Sequence, residues 1–445
     1  MSAPDASEEA LAAVDAAHRA HWGTVLAATV ALTRDLDLAE DSVQEAFAQA
    51  LQTWPRTGIP DSPGGWLATA ARRRALDAVR RRASLQRKLP LLVWDVPSGQ
   101  DPPDPRIEDE AVPVVLDERL RLIFLAAHPA LSPTSRVALT LRLVAGVPTA
   151  SIAAAFLVGE TTMAARLTRA KKRIALSRIP CRVPVGAELE ERLVDVLDVL
   201  SVLLATGDGS EGTAGEEAAA GRAAVLEAAV RTLEVLRELL PGRTEPQGLL
   251  AQALLLRSRA MTRTDAQGRP VALAAQDRGR WDRELIERAD GLVLDGLGRG
   301  GRGPYLLQGA IAAAVAVPRR HEEVDWQEVV ELYDALLVHW PTAIVRLGRA
   351  VAVSESSGVA AALADLATLA EELAEHRPFH VIRGELLHRL GEHEQAAAAH
   401  RTALDCRGDE GEAALLRERL AADDGTDLAD GTQPGEPAAF PDAVR

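Results

Sequence analysis

The sequence predicts an all-α protein. Two small helical domains are joined by a flexible acidic linker and followed by an α-helical, tetratricopeptide-like domain. Three observations carry this expectation. Much of the 47% apolar content is Ala and Leu while aromatics make up only 3%, which favours helices over sheets. Apolar residues recur at helical spacing along most of the 445 residues, a length at which more than one core is expected. Charge is also unevenly divided: residues 1–182 carry net +3 and residues 183–445 net −18, within a total of −15.

Taken in order, residues 7–33 read as one or two helices. In 38–54, Val43, Ala46, Phe47, Ala50, Leu51 and Trp54 form one helical stripe, with Asp41, Gln44 and Glu45 on the outer face. Pro55 is expected to end that helix, and the Pro/Gly-rich loop 55–65 leads into a basic helix over 66–82, WLATAARRRALDAVRRR. Trp66, Arg73 and Arg80 fall at i, i+7 and i+14 on it. That pattern suits single-stranded bases and phosphates, or equally a tryptophan that belongs to the core. The chain then turns acidic and proline-rich up to residue 113, a linker composition.

Helices resume at 116–127, then at 134–145 behind a Ser132 cap and Pro133 at the first helical position. Residues 148–156 and 160–176 form a helix–turn–helix pair with 157–159 as the turn. On its second helix Thr162, Arg166, Arg169 and Arg173 share a narrow arc, and Met163, Leu167, Ala170 and Ile174 share an adjacent one. One apolar and one cationic stripe is the division a helix needs if it sits in a major groove.

A second helical region begins at 185–205, interrupted by a Gly/Glu/Ala-rich run (205–221) expected to be a mobile loop. Later, Gly384, Leu387, Gly391, Ala396, His400 and Ala403 stand where a tetratricopeptide helix pair puts small and interlocking residues. A shift of 34 residues reaches Ala350, Ala362 and Leu369. The expected domains are therefore 10–84, a linker 85–113, 114–182, 185–420 and a disordered tail 421–445.

Several functions are excluded. Cys181 and Cys406 are far apart and have no ligand spacing around them, so neither a disulfide framework nor a metal site is expected. His128 beside Pro129 reads as a local structural residue. The glycines at 298, 300 and 303 match G-x-G-x-x-G only formally, because helical patterns flank them. Asp41 and Glu45 lack pocket residues and read as a partner-binding face rather than an acid–base pair. No cofactor, catalytic residue, signal peptide or membrane span is expected, and the chain reads as cytoplasmic.

Four motifs occur in order: AEDSVQEAFAQAL (39–51), GGWLATAARRRALDAVRR (64–81), HPALSPTSRVALTLRLVAGVPTASIAAAFLVGETTMAARLTRAKKRI (128–174) and GRPVALAAQDRGRWDRELIERA (268–289). Together they resemble a bacterial RNA polymerase sigma factor of the extracytoplasmic-function type, in the subgroup with a long C-terminal tetratricopeptide-like extension. The resemblance implies that region 2 binds core polymerase and melts the minus-ten element, while region 4 reads the minus-thirty-five element. Carried over by motif, Asp41, Gln44, Glu45 and Phe47 would meet the polymerase clamp. Loop 54–65, with Arg56, would hold a flipped base, and Trp66, Arg72, Arg73, Arg74, Arg80 and Arg81 would line the opened strand. Thr161 and Thr162 would reach base edges, and Arg166, Arg169, Lys172 and Arg173 the phosphates.

Two departures from that family stand out. Arg73 stands where its A-R-N-R-A stretch has Asn, and Ala126 and Ala127 stand where the subgroup often has two cysteines. The partners implied are RNA polymerase core enzyme, promoter DNA and a protein partner of the C-terminal domain, with no membrane. The extension would modulate regions 2 and 4 by intramolecular or partner contact. The alternative is a one-component helix–turn–helix regulator in which 185–420 senses a ligand; it leaves the second basic helix without a purpose.

Overall fold

The computed structural model describes residues 6–88, 115–208 and 216–406 apart from 178, 264, 266–270 and 272, together with 413, 414, 416, 417, 419 and 420. Among these residues every regular element is a helix, and no helix is long and apolar enough to cross a membrane. The chain divides into two compact units, 1–200 and 201–445. Of the linker expected over 85–113, residues 85–88 instead continue the helix Pro63–Lys88 and the remainder lies outside the described residues, as does the tail 421–445.

The first unit opens with α1 (Ala6–Thr33), α2 (Leu36–Thr57) and α3 (Pro63–Lys88), which pack on one another. Residues 7–33 are thus one helix. Asp35 caps α2, its carboxylate accepting from the Leu38 N–H at 3.0 Å. Pro55 does not end α2. It sits in the last turn, where its missing N–H forfeits one bond, and the helix stops two residues later as the Gly58 N–H closes on the Trp54 carbonyl at 3.0 Å. The buried stripe is Ala39, Val43, Ala46, Phe47, Ala50 and Trp54, while Leu51 is turned out to solvent.

Next come α4 (Val115–Ala126), α5 (Pro133–Leu139), a π-helical turn (Thr140–Val144), α6 (Thr149–Ala155) and α7 (Glu160–Leu176). Ser132 caps α5 through the Ser135 N–H at 3.3 Å. The single helix expected over 134–145 therefore loosens into a wider turn for its last five residues. Ile152, Ala153 and Ala155 of α6 and Met163, Leu167, Ala170 and Ile174 of α7 are buried, and these last four are the stripe that periodicity assigns. α8 (Ala187–Asp208) crosses the boundary between the units. Its first half is tied to what precedes it: Arg192 donates to the Phe124 carbonyl at 2.7 Å, and Arg136 pairs with Asp195 at 3.3 Å.

The two small N-terminal domains expected from sequence are in contact within this unit. α1 packs against α4 and the π-turn. The Trp22 indole donates to the Leu143 carbonyl at 3.2 Å, and the Arg142 guanidinium lies over the Trp22 ring at 5.5 Å. Gly146, at φ +71°, permits this approach, since a Cβ there would stand 2.6 Å from the indole.

The second unit continues with α9 (Glu216–Leu239), α10 (Glu245–Ser258), α11 (Arg283–Gly298), α12 (Pro304–Ala316) and α13 (Trp326–His339). It closes with α14 (Ala343–Ser356), α15 (Val359–Ala367), α16 (Arg377–Arg389) and α17 (His393–Asp405). Consecutive helices pack in series, as helical repeats do. The run expected to be a loop over 205–221 is helical on both sides, up to Asp208 and again from Glu216; its Ala/Glu-rich end is good helix-forming sequence. Ala350, Ala362 and Leu369 are buried in one core with Tyr333, Leu347, Phe379 and Ile382, whereas Ala396 and Ala399 form a small cluster with Leu387.

Within the motif 268–289, residues 278–283 act as a brace. Arg278 donates to the carbonyls of Val315 and Pro318 at 2.8 and 3.0 Å, Arg283 donates to Val317 at 2.8 Å, and the Arg278 guanidinium lies over the Trp281 ring at 4.7 Å. These guanidiniums satisfy carbonyls left over at the C-terminal end of α12. Burial brings Arg278 down to about 10.

Gly248 sets how closely α10 and α12 cross, since a Cβ there would lie 2.2 Å from the Leu306 Cα. Gly248→Ala should therefore destabilise the second unit by ~1–3 kcal/mol through overpacking, read as a lower urea midpoint. An unchanged midpoint would mean that the two backbones can separate without cost.

Candidate nucleic-acid interface

Two exposed basic surfaces stand on α3 and α7. On α3, Arg72, Arg73, Arg74, Arg80 and Arg81 are all exposed, on the side opposite buried Leu67, Ala71 and Ala75. Arg74 reaches Glu45 of α2 at 3.1 Å, and Arg80 reaches Asp77 one turn back at 3.8 Å. Both pairs are solvent-exposed, so water and salt screen them and the arginines can exchange partners at little cost. Among the described residues no ion pair engages Arg72, Arg73 or Arg81. Trp66 is half-buried at the start of α3, its ring edge-on to that of core Trp54 at 5.7 Å. It is anchored by one tryptophan and still presents part of its ring. Arg56, on the last turn of α2, is exposed and donates to the Gln52 carbonyl at 3.1 Å, beside the 58–62 loop.

α7 divides as its sequence requires. Thr161 and Thr162 are exposed in the first turn, Arg169, Lys172 and Arg173 are exposed further along, and Arg166 is half-buried. The turn before it is tight: Leu157 has φ +50°, and the Val158 N–H closes on the Ala153 carbonyl at 3.0 Å. Free N–H groups and two hydroxyls at this helix start, with guanidiniums behind them, form a surface for an anionic groove.

On α2, Asp41, Gln44 and Glu45 are exposed together, but Phe47 is not. Phe47 is buried with its ring 6.0 Å from Trp22 and 5.0 Å from His18, so it supports the helix from inside and cannot be part of its outer face. The residues that periodicity passes over are Asp37 and Glu40. Glu40 is buried and accepts from Arg142 Nε at 2.6 Å and from Lys171 Nζ at 2.7 Å, and Lys171 also donates to Asp37 at 2.8 Å. A signal was available: Glu40 lies at i−3 from Val43, an acid within the apolar stripe, which demands a cation.

Burial works against the Lys171 ammonium, yet its hydrogen bonds and charge contacts with Asp37 and Glu40 outweigh that and hold it above the ordinary lysine value. Asp35 resembles it with the opposite sign. Burial raises its pKa, but the Leu38 N–H and the Arg82 guanidinium, the latter at 2.5 Å, bring it below the usual carboxylate range.

Comparison with known proteins places these surfaces in matched segments. A family model described as Sigma-70 region 2 matches residues 18–85, and one described as Sigma-70, region 4 matches residues 121–174. A third, a family of unknown function (DUF6596), matches residues 192–295. The chain is 38% identical over 392 residues to an uncharacterized protein, R00370, of Rhizobium meliloti, covering 87% of this chain and 90% of that protein. It is 33% identical over 172 residues to a probable ECF RNA polymerase sigma factor, SigI, of Mycobacterium tuberculosis, covering 38% of this chain and 57% of that one.

Removing single groups on α7 should separate the two kinds of contact. Arg169→Ala should weaken duplex binding about equally for matched and scrambled upstream sequences and reduce the salt slope by about 1, as loss of one phosphate contact does. Thr162→Ala should instead change base preference, by less than the ~1–3 kcal/mol of a bidentate contact. Fluorescence anisotropy across a salt series reads both. The same preference in wild type and in the Thr161→Ala/Thr162→Ala double variant would take these hydroxyls out of sequence readout.

Proposed function

We propose a function for a chain that belongs to the RNA polymerase sigma factors of the extracytoplasmic-function type, in the subgroup that carries a long C-terminal helical extension. It directs RNA polymerase core enzyme to promoters and initiates transcription there. The observation that carries this reading is the succession on α2 and α3: an exposed acidic edge, a short loop, then an exposed arginine helix, all ahead of a separate helix–turn–helix. A regulator that only binds an operator needs the last of these and not the first three.

In the residue-level reading, Asp41, Gln44 and Glu45 meet the polymerase clamp. Arg56 and loop 58–62 receive an unstacked base, and Trp66 with Arg72, Arg73, Arg80 and Arg81 holds the opened strand of the minus-ten element by stacking and charge. Thr161 and Thr162 read edges of the minus-thirty-five element, while Arg166, Arg169, Lys172 and Arg173 hold its phosphates. The chain contributes no bond-making step of its own. The net −18 of residues 183–445 makes them a poor DNA ligand, so the extension serves as a modulator that binds a protein partner through its helix pairs.

Run-off transcription with purified core polymerase tests this directly: promoter-dependent product should require the chain. Asp41→Lys with Glu45→Lys should weaken co-purification with core while leaving helicity unchanged; undiminished capture would remove this edge of α2 from the interface. A chain ending at residue 208 keeps α8 and its Arg192 and Asp195 contacts. Equal output from it and from the full chain, in cells and in the purified assay, would mean that the extension is not regulatory.

A further inference from the structure

We propose that the second unit holds an oxyanion-binding site at residues 278–283, which takes the carboxylate or phosphate group of a small molecule. The site goes beyond the sigma-factor reading and stands without it. Bracing engages one nitrogen of each guanidinium: Arg278 Nη1 on the carbonyls of Val315 and Pro318, and Arg283 Nη2 on that of Val317. Among the described residues, Nε and Nη2 of Arg278 and Nε and Nη1 of Arg283 are buried and meet no acceptor.

A buried N–H without a partner has given up water and gained nothing, and on a cation that cost is larger. Folded proteins hold few such groups, and here two residues hold four of these nitrogens. The Nε–H and Nη2–H of Arg278 lie along one edge of the planar guanidinium. That edge is the fork that binds both oxygens of a carboxylate, or two of a phosphate, through parallel hydrogen bonds. The Trp281 ring at 4.7 Å and the two carbonyls on Nη1 fix the plane of the fork, so little freedom is lost when an anion docks.

Charge points the same way. Arg278 is 8% exposed, and Arg283 and buried Arg259 act on it as like charges. The carboxylates that act in its favour are Glu322 and Glu323, and neither closes the fork. Glu322 is exposed, and Glu323 accepts from the backbone N–H groups of Arg319 and Arg320 at 3.2 Å. Among the described residues no carboxylate forms an ion pair with Arg278 or Arg283. In residues 183–445, with net −18, two adjoining arginines without a carboxylate reverse the prevailing charge. Exposed Arg280, Arg319 and Arg320 adjoin them in sequence and draw an anion in from the side of half-buried Arg283. An oxyanion bound there supplies the missing counter-charge and ties 278–283 to the end of α12.

Thermal unfolding of the full chain tests the site, with inorganic phosphate and succinate as probes against chloride at equal ionic strength. At about five times its Kd, a probe that binds should raise the midpoint of the second unit by roughly 2–4 °C. A rise with phosphate alone identifies a phosphoryl ligand and with succinate alone a carboxylate; either supports the site. Phosphate also stabilises proteins by exclusion from their surface, so the comparison is with Arg278→Lys, which keeps the charge and loses the fork. That variant should lose the rise, and an equal rise in it overturns the proposal. Hydrogen exchange on the wild-type chain decides independently of whether the variant folds. Either probe should slow exchange at the amides of 276–283 and 315–323. Slowing confined to α3 and α7, whose exposed arginines attract any anion, or none at all, overturns the site. Neither readout involves polymerase, so failure of the sigma-factor reading leaves this one standing.

Discussion

A carboxylate buried on a helix must find a cation in the same place, and in the N-terminal unit that requirement falls on Glu40. Its partners are Arg142 and Lys171, 102 and 131 residues away along the chain. An unpaired buried charge would cost far more than either contact contributes, so the three side chains specify an arrangement as much as they stabilise one. Around them the Trp22 indole, the Arg142 guanidinium and the close approach at Gly146 form a continuous contact between α1–α2 and the helix–turn–helix. Of two neighbouring cations on α7, Lys171 is turned into that contact and Lys172 stays exposed.

The same residue type does opposite work in the two units. In the first, most arginines of α3 and α7 are exposed and weakly paired, which leaves them available to a polyanion. In the second, Arg278 and Arg283 are drawn in over carbonyls at the end of α12, and their role is to complete backbone hydrogen bonding where a helix stops. The guanidinium suits both, because its planar set of donors can reach several acceptors or stack on a ring. Hence the motif around Arg278, which in sequence looks as pointed as the helix–turn–helix, resolves into a structural brace.

Much was legible in the sequence. The 3.6-residue periodicity of α2 and α7 is a direct consequence of helix geometry, so it fixed which residues of α7 are buried and which remain outside. The Ser132 cap, the tight turn before Glu160 and the asymmetry of charge are likewise local chemistry, read without a fold. So were the four ordered motifs, which pointed to the sigma family before any contact was known.

Tertiary structure decided what depends on neighbours distant in sequence. Phe47 and Leu51 lie on the same predicted stripe, yet one is buried against Trp22 and His18 and the other faces solvent, because only the placement of α1 distinguishes them. Pro55 stays helical because it falls in a last turn where one lost hydrogen bond is tolerable. Trp66 is both anchor and surface because Trp54 covers only part of it. Glu40, an apparent misfit within an apolar stripe, has its meaning from two cations more than a hundred residues away. Periodicity reports which face of a helix is inside; it carries no information about what that inside contains.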